Sequence, residues 1–188
     1  HLDGESLLDA FAQESVTITA GVPTIWMGIL QALEANPGRW DLTGLRSMVV
    51  GGSAVPRSMI EAYDRHGLKI VQAWGMTETC PLGTVSDLSS RELALPADEQ
   101  VSYRARQGLP APFVEIRARG PEGLVAWDGE AMGELEVRGV WVASSYFEAP
   151  EASDRWTDDG WFKTGDIGTI EPNGYIEIQG RTKDLVKS

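Results

Sequence analysis

Cysteine and histidine are almost missing: Cys80 stands alone, and only His1 and His66 occur in 188 residues. A single cysteine excludes an internal disulfide and fits a reducing compartment, so the cytoplasm is the expected location. Two histidines supply neither a histidine-built metal site nor a Ser-His-Asp arrangement, and His66 in "DRHG" reads as the end of a helix. Basic side chains are scarce as well: 16 face 28 acidic ones, for a net charge of -12, with no lysine or arginine block. That excludes the extended positive surface that nucleic acid or an anionic membrane requires, while leaving open a small phosphorylated ligand held at one local site. No apolar run approaches the roughly 20 residues of a membrane-spanning helix, and the start "HLDGESLLDA" lacks a basic region followed by an apolar one. Neither Gly-x-x-x-x-Gly-Lys nor Gly-x-Gly-x-x-Gly occurs, and there is no internal repeat or low-complexity tract.

What is present is a foldable chain. Hydrophobic residues make up 42% of it, enough for one large domain or two small ones. "ESLLDAFAQE" sets Leu7, Leu8 and Phe11 on one helical face, and "VTITA" (Val16 to Ala20) reads as a strand. Pro23 opens a second helix with an apolar face of Ile25, Trp26, Ile29, Leu30 and Leu33, stopped by "NPG". Strand "RSMVV", a helix from Pro56 with Met59, Ile60 and Tyr63 inward and Gly67 as its stop, and strand "LKIVQAW" follow. Such alternation predicts an α/β fold with a helix-covered, largely parallel sheet over residues 1–105. "DLSSRELALPADEQVSYRARQ" reads as helix and loop. Residues 106–180 then turn β-rich and barrel-like, with alternating runs such as "FVEIRAR" and "GELEVRG", and Asn173-Gly174 marks a hairpin.

Ligands of open α/β sheets bind at the carboxyl ends of strands, where "GGSA" and "WGMTET" fall. Gly51 and Gly52 allow close approach, Trp74 offers a flat face to a purine, and Thr77 and Glu78 offer a hydroxyl and a hard oxygen ligand for magnesium. Each has an ordinary alternative: a tight turn, a core tryptophan, a loop or cap threonine. Asp166 in "GWFKTGDIG" is either a turn aspartate or a ligand for two ribose hydroxyls. Arg181, Lys183 and Lys187 form either a solvated segment or cations near phosphates. Cys80, followed by Pro81, reads as a small packing residue rather than a nucleophile.

Taken in order, "TITAGVPTIW", "VVGGSAVPRSMI", "QAWGMTETCPLGT", "GELEVRGVWVASSYF", "DGWFKTGDIG" and "GYIEIQGRTKDLVKS" resemble the blocks of the adenylate-forming acyl-CoA synthetases. These are relatives of firefly luciferase and of peptide-synthetase adenylation domains. The wording is most similar to bacterial medium- and long-chain fatty-acid-CoA ligases. The resemblance implies ATP, Mg2+ and coenzyme A as partners of a carboxylic acid, which is joined to AMP and then passed to the thiol. It implies that Trp74 stacks on adenine, that Gly52, Gln72 and Ala73 border the nucleotide and acyl pocket, that Thr77 meets the α-phosphate, and that Glu78 holds magnesium. Asp166 and Arg181 would take the ribose, Lys183 would be the hinge within residues 181–188, and Lys187 would reach the nucleotide from beyond it. Small residues at Gly52, Ala73 and Gly75 would leave room for an acyl tunnel. The family's phosphate loop would lie upstream and its catalytic lysine downstream, so this chain is expected to be a fragment unable to turn over alone. A ligase for an aryl or short functionalised acid and a non-catalytic nucleotide-binding module are the rival expectations; a homodimer is compatible with all three.

Overall fold

Asp3 starts the chain's first helix because its carboxylate accepts the Ser6 backbone N–H at 2.9 Å, satisfying one of the free donors of a helix N-terminus. In the computed structural model, which describes residues 2–185, α1 (Gly4–Gln13) buries Leu8 completely and rests Leu7 and Phe11 against the same core. Ser15 then takes a left-handed φ of 52°, and the Val16 N–H reaches back to Phe11 O at 3.0 Å. That closure of the helix end consumes Val16, so β1 is Ile18–Gly21 rather than beginning at Val16.

The rest of this unit alternates as the pattern requires. Pro23 occupies the first position of α2 (Pro23–Ala35), where its missing N–H costs nothing. β2 (Ser47–Val50) leads to α3 (Arg57–Arg65), which Pro56 precedes as the cap residue, and His66 caps the other end. Gly67, at φ 69°, lets the Leu68 N–H return to Tyr63 O at 3.1 Å. β3 (Ile70–Trp74) completes a parallel order β1-β2-β3, with Ile18 opposite Ser47 and Met48 opposite Ile70. Trp26, Ile29, Met48, Val50, Ile60, Tyr63 and Ile70 are each at most 1% exposed, each such burial contributing about 1.5–3 kcal/mol before ordering costs. This unit comprises the chain up to Ala73 together with Ser86–Ala105.

Trp74–Val85 and the chain from Arg106 onward make a second compact unit. β4 (Thr84–Val85) and β5 (Leu109–Pro110) pair antiparallel. α4 (Ala97–Arg104) precedes β5 in sequence and belongs to the first unit. β6 (Val114–Gly120), β7 (Gly123–Leu124), β8 (Gly133–Gly139), β9 (Phe162–Ile170) and β10 (Ile176–Arg181) form an antiparallel sheet in the order β10-β9-β8-β6-β7. The β9–β10 connection contains the Asn-Gly pair, but only Gly174 has positive φ, at 88°. The Gly174 N–H closes on Glu171 O at 2.8 Å, so Pro172 and Asn173 fill an ordinary four-residue turn and Gly174 follows it into the strand. A short helix, α5 (Thr182–Leu185), follows β10. Alternation along β9 sends Phe162, Thr164 and Asp166 to the buried face, so one apolar position in that row is given over to a carboxylate.

Candidate functional site

The second unit gathers most of the chemically suggestive residues. Its first feature is the turn after β3, a short 3-10 segment at Thr77–Thr79. Thr79 is wholly buried, and its hydroxyl accepts the Met76 N–H at 2.9 Å and donates to Pro81 O at 2.8 Å. These bonds fold the chain back so tightly that a Cβ on Gly75 would lie 1.7 Å from Pro81 O. The space on the Cβ side of Gly75 is therefore filled by a carbonyl of its own loop. Cys80 needs a correction: it is exposed, at φ 48°, and packs against no core.

Trp74 is not an open platform either. It is 9% exposed and belongs to the apolar core of its unit with Val114, Ile116 and Phe162, its ring edge lying where a Cβ on Gly83 would fall. Core packing has outweighed exposure of the flat face, and the indole's polar edge does specific work: Nε1–H donates to Asp166 Oδ2 at 2.8 Å. The other carboxylate oxygen, Oδ1, meets Arg181 Nε at 2.9 Å, across a β9–β10 register that sets Arg181 opposite Asp166. Asp166 is 3% exposed, whereas the Arg181 side chain is 64% exposed. One buried carboxylate is thus bracketed by a donor from the core and a largely exposed cation from the surface. An ionised carboxylate offers about four acceptor positions, and these two donors each engage one of its oxygens.

Thr77 is exposed and Glu78 half-buried on the same turn. Glu78 Oε1 accepts the Tyr146 hydroxyl, and its backbone oxygen accepts the Ala143 N–H at 2.8 Å. Glu78 and Tyr146 line a cleft of about 400 Å³ with Arg155, Lys163, Arg181 and Lys183 among its walls. Among the described residues no cluster of three or more His, Cys, Asp or Glu side chains is assembled as a metal cage. A single hard carboxylate nevertheless fits magnesium, which takes one or two protein carboxylates and completes its shell with phosphate oxygens and water. Lys183, exposed in α5, borders this cleft; Lys187 lies outside the described residues.

Gly52, Gln72 and Ala73 belong to the first unit. Gln72 is 2% exposed, and its side-chain oxygen accepts the Val55 N–H at 3.1 Å, tying the glycine-containing loop after β2 to β3. Gly52 sits at φ 90°, a conformation that disfavours any side chain. A Cβ on Gly51 would stand 3.3 Å from Ala73 O, so strand and loop run close together.

Several site residues escaped the sequence reading. Tyr146 carried no local signal, being 68 positions from its partner Glu78. Thr164, in the quoted "KTGD", donates to Leu135 O at 2.7 Å and accepts the Asp166 N–H at 3.1 Å, so it fixes the strand at Asp166. Glu134 accepts the Gly165 N–H at 3.0 Å.

Comparison with known proteins follows the same lines. The model of a family described as AMP-binding enzyme matches residues 1–147. A long-chain-fatty-acid–CoA ligase of Thermus thermophilus is 42% identical over 100% of this chain and 35% of its own length. A 3-methylmercaptopropionyl-CoA ligase of Ruegeria pomeroyi is 41% identical over 100% of this chain and 34% of its own. Among solved structures, O-succinylbenzoate coenzyme A synthetase of Bacillus subtilis, in complex with ATP and magnesium ion, matches with TM-score 0.81 at 25% identity, over 99% of this chain and 36% of that one. The chain spans about a third of the length of the curated relatives it matches. Among the described residues no helix is long and apolar enough to cross a membrane.

Proposed function

The chain belongs to the AMP-binding enzyme family, and from that premise we propose that it supplies the nucleotide-holding part of an ATP-dependent acid-thiol ligase. The observation that carries the proposal is the pair of carboxylates in one unit: Asp166, buried and bracketed by Trp74 and Arg181, and Glu78, held on a turn beside an open cleft.

A carboxylate resists thiol attack because its negative charge repels the nucleophile and its oxygen is a poor leaving group. In the proposed reaction the acid oxygen bonds to the α-phosphorus of ATP and pyrophosphate leaves. The thiol of coenzyme A then attacks the acyl carbon, AMP departs, and the thiol proton is released. Asp166 would accept the ribose hydroxyls once the exposed Arg181 side chain moves aside from Oδ1 toward the sugar. Trp74 would act chiefly as the donor that orients Asp166, its ring edge rather than an open face bordering adenine. The exposed Thr77 would donate to the α-phosphate. Glu78 would hold magnesium, which when bound neutralises charge developing on the phosphates. Gly52, Gln72 and Ala73 would border the nucleotide and acyl pocket, and Lys183 would be the hinge about which a further domain turns between the two half-reactions.

The substrate we propose is a fatty acid of medium or long chain, supported by the 42% identity to a long-chain ligase. The nearly equal identity to a ligase for a short thioether acid keeps a functionalised acid as the second reading. Since no phosphate loop occurs among these residues, activity is proposed for the complete protein and not for this chain alone. Pyrophosphate release measured across straight-chain acids of graded length, with thioether and aryl acids alongside, tests the choice. A rate rising with alkyl length is expected; indifference to it would reject the fatty acid.

A further inference from the structure

We propose that Tyr146 is a positioning residue for Glu78, its hydroxyl holding the carboxylate in the orientation that binds a divalent cation. The inference rests on the reading of Glu78 as a magnesium ligand and adds a residue that the reading does not contain.

Glu78 is held at both ends by one segment, the loop after β8. Ala143 N–H binds the Glu78 backbone oxygen at 2.8 Å, and the Tyr146 hydroxyl binds Oε1. The segment is itself anchored: Trp141 Nε1–H donates to Leu82 O at 3.1 Å, and Trp156 Nε1–H donates to Ala143 O at 2.9 Å. The Tyr146 ring meets Trp156 edge-on with centroids 5.2 Å apart, and Trp156 in turn lies 5.0 Å from Phe162. A glutamate on a surface turn would otherwise lose rotamer freedom when it is fixed by a ligand. Here that ordering precedes the ligand.

The chemical type of the holder matters. A lysine or arginine in its place would neutralise the carboxylate and compete with the metal. A phenol donates one hydrogen bond and leaves the full negative charge. A phenol ordinarily ionises only near pH 10, so it serves as a neutral donor through the neutral range. Tyr146 engages one oxygen, and both residues border the same cleft, where a cation bridged to phosphates has access. Outer-sphere donors of this sort typically change metal affinity by about 10–100-fold.

The test uses the complete protein with Mn2+ as the probe ion, its free concentration read by electron paramagnetic resonance in the presence of α,β-methylene-ATP. Tyr146→Phe keeps the ring and its contact with Trp156 and removes only the donor. We expect Mn2+ affinity about tenfold weaker, a melting temperature close to the parent's, and pyrophosphate exchange restored by excess Mg2+. Unchanged Mn2+ affinity in Tyr146→Phe, with a clear loss in Glu78→Gln, would overturn the positioning role and leave Glu78 as the ligand. No loss in either variant would overturn the metal reading of Glu78 and the inference with it. A loss of affinity matched by a large fall in melting temperature would show a packing role and also overturn it.

Discussion

Gly75→Ala separates two explanations of one glycine. If Gly75 were a small wall of an acyl pocket, alanine would shorten the longest accepted acid and leave folding alone. The structure requires the opposite: the added methyl would stand 1.7 Å from Pro81 O and 2.8 Å from Thr79 Oγ1. The nearer atom belongs to the backbone of the returning loop and cannot rotate away. Relieving the overlap costs about 1–3 kcal/mol, as in overpacked interiors. Moving Pro81 also breaks its bond with the buried Thr79 hydroxyl, adding about 1 kcal/mol. A destabilisation of roughly 2–4 kcal/mol follows, read as a lower urea midpoint for the transition that includes this unit. The acid-length profile of the folded remainder should keep its shape. Stability unchanged to within about 0.5 kcal/mol, together with a profile cut at long chains, would return Gly75 to the pocket.

Three further substitutions probe the bracket and the hinge. Trp74→Phe keeps an aromatic in the core but removes the donor to Asp166 Oδ2, so urea unfolding should show a loss of about 1–3 kcal/mol for the unsatisfied buried oxygen, and ATP affinity by calorimetry should fall with it. Arg181→Gln exchanges a side chain that is 64% exposed but leaves the buried Asp166 without its cation, so it should cost about 1–3 kcal/mol and weaken ATP binding several-fold; a stability loss without a binding change would make the pair structural. Lys183→Pro sits in the first turn of α5, where its N–H has no intrahelical partner. It should spare adenylation and depress thioester formation at least tenfold if this residue is the hinge; equal losses in both half-reactions would dismiss that role.

Much of the architecture was legible because it is written locally. The faces of α1, α2 and α3 followed from 3.6-residue spacing, and Pro23 and Gly67 act where their backbone restrictions predict. The β1 start was missed because Ser15 takes a left-handed conformation that no pattern announces and that draws Val16 into the helix end. At the site, residue types were legible and their orientations were not. "QAWGMTET" suggested a flat aromatic ready for a base. Which way the indole turns depends on Val114, Ile116 and Asp166, between 40 and 92 positions away. Tyr146 stayed invisible for the same reason: its meaning comes from a carboxylate met only after the sheet has formed. Thr79, which nothing in the local pattern singled out, holds its turn together through its hydroxyl.

If this chain helps a complete protein join a carboxylic acid to AMP, with Glu78 on the metal, the complete protein must catalyse the reverse of that step. Acid-dependent exchange of radiolabelled pyrophosphate into ATP measures that step without coenzyme A. We expect exchange in the parent that requires both a fatty acid and Mg2+, and its loss by at least about 100-fold in Glu78→Ala at an unchanged melting temperature. Exchange that persists in Glu78→Ala, or a parent that binds ATP yet exchanges nothing with any acid supplied, would contradict it.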